Sequence, residues 1–293
     1  MFTSLSMTVI FPFAMLWIAV LCIGFVQYKL AASATSLSII FALLVGLITT
    51  QALVPLALVT ITTICAVIFH RGNKYLFWIF LLVTAITCYG LGTHGFSGFN
   101  NPLIVDSVTL TSKSIPYTLY WNYDKACAAV VLFFLYQTLC RRNSLSSANL
   151  KKSIVAVLGT LIVTLTFAYI LGLVRWEPKV PDFFLFWTLS NLFITAAAEE
   201  GFFRGLLQFQ LHKILSPATK YAGALAITIA GTLFGIAHFA MGSSYVLAAT
   251  IAGFGYGLVF HLSKRLEASI LTHYLLNTIH ILFFTYPMIE SSG

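Results

Sequence analysis

Long apolar runs separated by short polar stretches dominate the chain. A spanning helix needs about 20 mostly apolar residues, and Met7 to Val26 is the first such run. No basic residue precedes it and its first one, Lys29, follows it, which predicts an uncleaved first helix. A signal-peptide reading would cut at Ala32-Ser33-Ala34. Ala31 to Phe69 is too long for one crossing, and Thr49-Thr50-Gln51 with Pro55 predicts a break into two helices. Tyr75 to Leu91 comes next. A polar stretch from Gly92 to about Tyr123 is then the longest extramembrane segment, with Tyr117, Tyr120, Trp121 and Tyr123 expected as interfacial anchors. Further runs are 124–140, 153–174, 183–211, 221–239, 244–262 and about 267–286. These ten candidate crossings predict an all-α polytopic membrane protein, a bundle of about 8–10 transmembrane helices with no soluble domain and no obvious repeat.

Composition narrows the class. Of 293 residues, 59% are apolar and 8% charged, against about 25% charged in an ordinary globular protein. So few charges cannot cover a soluble surface, which excludes a soluble enzyme, a disordered chain and a nucleic-acid-binding domain. The net charge of +8 then reads as Lys and Arg held in cytoplasmic loops. With ten crossings, one loop set holds Lys29, Arg71, Lys74, Arg141, Arg142, Lys151, Lys152, Lys213, Lys220, Lys264 and Arg265. The other holds Lys113, Arg175 and Lys179, with Lys125 at a helix end. That bias puts both termini outside the cytoplasm. A multi-pass protein of the bacterial inner (cytoplasmic) membrane is the expected setting. The five cysteines are odd in number and form no CxxC pair, so buried inert thiols are expected.

Ionisable groups at membrane depth are costly, and each is a functional hypothesis by default. The N-terminal half offers almost none. The last hundred residues hold Glu199-Glu200 with Arg204, then His238, then His273 with Asn277. On a helix Glu200 and Arg204 stand at i,i+4 with the acid N-terminal, the better order for a pair. Glu199 points about 100° away and keeps no local partner. A desolvated carboxylate of this kind is expected to have a raised pKa, as a general base near neutral pH requires. The plain alternative is an ion-pair brace between helices. His273 and Asn277 share one helix face and could donate to a developing oxyanion. Equally, they could serve as interhelical hydrogen bonds, and His238 could be an interfacial residue. Gly253, Gly255 and Gly257, with Ala248, Ala249 and Ala252, favour close helix packing nearby.

Glu199-Glu200-Gly201-Phe202-Phe203-Arg204, Phe234 to His238, and His273-Tyr274-Leu275-Leu276-Asn277 follow one another about 35 residues apart. In that order they resemble the motifs of the CPBP family (CAAX protease and bacteriocin-processing, also called Abi), which includes the Rce-type prenyl-protein endopeptidases. The resemblance covers about Leu189 to Leu282. It divides the chain into an N-terminal transmembrane region, 1–180, expected to be subfamily-specific, and a CPBP-like catalytic helix bundle, 181–293. The resemblance implies a glutamate-dependent intramembrane endopeptidase with its site between the C-terminal helices. Glu199 and His238 would activate a water, His273 and Asn277 would stabilise the oxyanion, and Glu200 and Arg204 would support the site. No cofactor is implied. The implied partners are a membrane-associated protein or peptide substrate and the lipid bilayer, with no nucleic acid.

Helix ends drawn from the apolar runs conflict with this constellation. They separate His238 and His273 in depth by roughly 10 Å at 1.5 Å per residue. Either the ends are misplaced or the 183–211 run is broken or re-entrant near Gly201. Four rival readings remain, one of them a non-catalytic immunity or scaffold protein on the same fold, against which the intact motif residues argue. HExxH is absent, but a zinc-dependent version of the same protease could use Glu, His238 and His273. A proton-coupled transporter would use similar residues, though it would usually show two related halves. Gly95-Phe96-Ser97-Gly98 matches the GxSG of rhomboid serine proteases, but it sits in a polar loop rather than at an interior helix start.

Overall fold

The computed structural model describes residues 6–140 and 147–290, so Arg141 and Arg142 of the expected basic loop lie outside it. Among the described residues the chain forms ten helical rods. They are α1 (Met7–Gly24), α2 (Tyr28–Leu44), α3 (Leu53–Phe69), α4 (Lys74–Gly92), α5 (Tyr123–Leu139) and α6 (Ser147–Ile170). A composite rod, α7, runs from Phe184–Ser190 to Phe209–Leu215, and α8 (Ala222–Ile236), α9 (Ser243–Ser263) and α10 (Leu266–Phe283) complete the set. Five spans, Met7–Gly24, Thr50–Phe69, Lys74–Gly92, Asn149–Ile170 and Ser243–Ser263, are long and apolar enough to cross a membrane, and Tyr28–Leu44 and Ala222–Ile236 are shorter apolar helices. Their outward faces are apolar too: Ile61, Leu82, Ile86, Val155 and Ile162 all stay exposed. Helices that are apolar all round need a nonpolar surrounding, and here lipid supplies it.

The break expected within 31–69 is present. The chain turns at Gly46, whose φ of 73° is in the left-handed region, and Pro55 falls in the first turn of α3, where its missing N–H costs nothing. At the start of α4, Asn73 accepts hydrogen bonds from the amides of Tyr75 and Leu76. Successive rods alternate in direction. Lys29, Arg71, Lys74, Lys213, Lys220, Lys264 and Arg265 therefore gather at one end of the bundle.

The opposite end carries structure that the apolar pattern did not show. Leu103–Val108 and Tyr117–Tyr120 pair as an antiparallel hairpin. The tail after α10 lies between this hairpin and the 173–179 segment, through bridges Ser114–Ile289 and Trp176–Phe284. The expectation of interfacial anchors is corrected for two of the four aromatics. Trp121 and Tyr123 are fully buried. Trp121 donates to the Phe186 carbonyl at 3.2 Å, and the Tyr123 hydroxyl bonds Ser38 at 2.7 Å. A buried polar atom needs a partner, and these two aromatics find theirs inside the bundle. One apolar cluster including Phe13, Trp121, Trp187 and Ile270 crosses the 180/181 boundary, so the N-terminal rods pack directly on the C-terminal ones.

Candidate active site

The rod α7 is continuous, which removes the idea of a break or re-entrant turn near Gly201. Its hydrogen bonding widens instead to π-helix over Asn191–Ala196 and Gly201–Gln208, on either side of the α-helical Ala197–Glu200. Isolated π stretches are frequent at functional sites. Gly201 lets α5 approach closely, since a Cβ there would meet Leu132 Cβ at 2.9 Å.

Glu200 points into the bundle and is fully buried. It accepts from Arg204 Nη1 at 3.1 Å, from Ser269 Oγ at 2.6 Å and from His273 Nδ1 at 2.9 Å. Arg204, equally buried, donates its Nη2 to the Gly253 carbonyl at 2.8 Å and lies 4.7 Å from the Phe234 ring centre. The small residues of α9 make this possible. A Cβ on Gly253 would stand 2.9 Å from the Gly231 carbonyl, and one on Gly255 would stand 2.3 Å from Thr160.

Glu199 faces the other way, as its 100° offset requires, but it is not alone. Lys125 Nζ of α5 lies 2.7 Å from Glu199 Oε1, with both side chains mostly buried. This corrects the expectation of an unpartnered carboxylate, and the raised pKa argued from it loses its premise. The N-terminal half thus contributes an ionisable group to the site. Lys125 is not a loop cation but an inward-facing one.

Glu199, His238, His273 and Asn277 line one cavity of about 290 Å³, together with Asn191, Tyr245 and Tyr256. Tyr117 and the tail residues Tyr286, Pro287 and Met288 line it as well. Glu199 and His238 also line a second, more apolar cavity of about 200 Å³ beside Lys125, Cys88 and Phe202. The two side chains thus stand in the wall that the cavities share. His238 Nδ1 lies 2.8 Å from the Phe234 carbonyl. A carbonyl only accepts, so that nitrogen carries the proton, and the neutral ring keeps Nε2 as an acceptor. His273 stacks on Tyr256 at 4.7 Å and 13°. The Asn277 amide donates one proton to Asn191 Oδ1 at 3.3 Å, leaving a second.

The expected depth conflict between His238 and His273 also resolves. The helix α8 has 15 residues, about 22 Å at 1.5 Å per residue. That is shorter than the roughly 30 Å hydrocarbon layer, so the end carrying His238 stops inside the bundle. The Phe234 ring touches both imidazoles, at 4.8 Å and 5.8 Å between centres. Gly95-Phe96-Ser97-Gly98 lies in the loop after α4 and lines neither cavity. There Gly98, at φ 93°, is wedged 2.6 Å (as a Cβ) from the Ala52 amide. Reading the sequence missed Lys125, Ser269, Asn191 and Tyr256. A lysine at the margin of an apolar run was the one available signal.

Fold and site together define a polytopic helical membrane protein with a buried carboxylate–histidine centre. Residues 181–279 match the family model of the type II CAAX prenyl endopeptidases, Rce1-like, which supports the CAAX protease (CPBP) family that the motifs resemble. The match indicates a CAAX-type intramembrane endopeptidase. No curated protein and no solved structure matches the chain.

Proposed function

We propose that the protein hydrolyses a peptide bond in a membrane-anchored substrate, such as a prenylated C-terminal segment, by glutamate-dependent catalysis in a bacterial cytoplasmic membrane. The observation that carries this reading is the shared wall. Glu199 and His238 line both cavities, and His273 and Asn277 line the larger one with them. A water between Glu199 and His238 Nε2 gives up a proton as its oxygen attacks the scissile carbonyl. The carbonyl oxygen gains the negative charge. Asn277 Nδ2 donates to it through the proton not used by Asn191. His273 donates from Nε2 when its ring is doubly protonated, with Glu200 2.9 Å from Nδ1 to face that charge. Such donors typically contribute about 10²–10³-fold each. The proton held by the Glu199–His238 pair passes to the leaving amine as the C–N bond breaks.

The test is cleavage of a co-expressed membrane-anchored substrate, read alongside the level of detergent-extracted protein. Glu199→Gln and His238→Ala should each lower cleavage by orders of magnitude at unchanged protein level. The double variant should be little worse than either single one, because groups acting as a unit are not additive. Near-normal cleavage by Glu199→Gln would refute the assignment. Activity lost to a chelator and restored by zinc would favour the metal-dependent version instead.

A further inference from the structure

We propose that Lys125, which lies outside the matched 181–279 region, is a positioning residue for Glu199: it balances that carboxylate's charge and holds it in one orientation beside His238. The proposal rests on the reading of Glu199 as the water-activating base.

Geometry carries the argument. The ammonium sits 2.7 Å from Glu199 Oε1, so the second carboxylate oxygen is the one left for a water. An unpaired carboxylate at membrane depth is costly, and among the described residues Lys125 is the only cation in ion-pair contact with this one. Glu200, one residue on, already shares its charge with Arg204 and His273 and faces away, so it cannot substitute.

The lysine is itself fixed in place. It stands in the first turn of α5, and that turn is pinned by the 94–101 loop. Asp124, buried, accepts from Asn101 Nδ2 at 3.1 Å and pairs with His94 Nδ1 at 2.7 Å. The Tyr123 amide donates to Asn101 Oδ1 at 2.7 Å. The Lys125 amide donates to Asp124 Oδ1 at 2.8 Å. The 94–101 loop therefore sets where α5 begins, and α5 sets where the ammonium reaches. A purely structural cation would need no such register. The N-terminal region thereby supplies one group to a site whose proposed catalytic residues all lie within 181–279.

Lys125→Met keeps the length of the side chain and removes the charge. In a purified, detergent-solubilised assay of the full chain, its kcat should fall about 10²-fold, the scale on which a misplacement of about 1 Å acts. KM should stay unchanged, since the ammonium is already engaged by Glu199 Oε1 and its proposed role is on the carboxylate rather than on the substrate. The second arm uses Lys125→Ala with methylammonium present throughout purification and assay. The 200 Å³ cavity lined by Lys125 has room for this ion, so turnover should recover in a saturable way. A brace between helices would not respond to a free amine. Unchanged kcat in Lys125→Met overturns the proposal, and so does a flat amine response in Lys125→Ala. If the methionine variant does not accumulate, the amine arm decides. Glu199→Gln is run in parallel on the same substrate. Retained cleavage there defeats the protease reading itself, whereas loss there with full activity in Lys125→Met defeats only the role of Lys125.

Discussion

Glu200→Gln tests how the second carboxylate works. Glu200 and Arg204 are both fully buried and 3.1 Å apart. At that distance and an effective dielectric of about 20, two unit charges attract by about 5 kcal/mol. The amide keeps the shape but leaves the guanidinium uncompensated. Part of the loss is absorbed by the Gly253 carbonyl and by the Phe234 and Tyr256 rings, 4.7 and 5.3 Å away. The expected cost is about 3–5 kcal/mol, as for other buried pairs broken from one side, or two to three and a half decades in the folded-to-unfolded ratio. Arg204→Met on its own should cost a similar amount, because Glu200 then keeps its charge with only Ser269 and His273 as partners. The double variant Glu200→Gln with Arg204→Met removes both charges and should be more stable than either single one. The assay is a denaturing-detergent titration in mixed micelles, with folded fraction followed by tryptophan fluorescence. If Glu200→Gln unfolds within about 0.5 kcal/mol of the unmodified protein, the reasoning fails. It also fails if the double variant is simply the sum of two losses.

Two further outcomes follow from the packing and from the tail. Gly253→Ala forces a methyl to 2.9 Å from the Gly231 carbonyl and 3.0 Å from Gly231 Cα. Backbone cannot yield there as a side chain would, so the same titration should show a loss of about 1–3 kcal/mol, and unchanged stability would contradict the contact. Outside the membrane, Glu177 accepts from the Thr285 hydroxyl at 2.7 Å, and that bond above all holds its carboxyl below the ordinary value of 4.5. A depressed acid stabilises docking above that ordinary value and loses the contribution as pH falls through its own lower value. Amide exchange at Thr285, whose N–H donates to Arg175, should therefore speed up below about pH 4.5 beyond the intrinsic pH trend. Glu177→Gln should abolish that pH dependence, and a variant that keeps it would assign the effect elsewhere.

Much of the architecture was legible because lipid imposes one rule along the whole chain: each crossing must be long and apolar. Ten runs gave ten rods, and even the break at Gly46–Pro55 was marked by its polar residues and proline. The helix-face argument was also local, so the opposed directions of Glu199 and Glu200 and the i,i+4 pair of Glu200 with Arg204 could be read from spacing alone. What stayed hidden depends on tertiary contact. The hairpin over Leu103–Tyr120 has short strands with register shifts, and neither strand alternates cleanly enough to announce itself. Trp121 and Tyr123 resemble interfacial residues by type. Only the fold brings Phe186 and Ser38 to their polar atoms. Lys125 and Glu199 are 74 residues apart, beyond any periodicity.

That last contact changes the chemistry assigned to the two neighbouring acids. By spacing, one glutamate had a cation and the other had none, so a solitary base and a supported partner were expected. In the fold both carboxylates are paired, and they differ instead in what remains free. Glu200 spends both oxygens within the bundle, on Arg204, His273 and Ser269, and is fully buried. Glu199 has one oxygen held by a single ammonium and keeps contact with two cavities. A group that must exchange protons with water needs access as well as charge, and Glu199 has both. Glu200 acts through others: its bond to Nδ1 fixes the tilt of His273, and its charge steadies Arg204, whose Nη2 holds the Gly253 carbonyl. Loss of the first acid should therefore silence a folded protein, whereas loss of the second should loosen the bundle around the site.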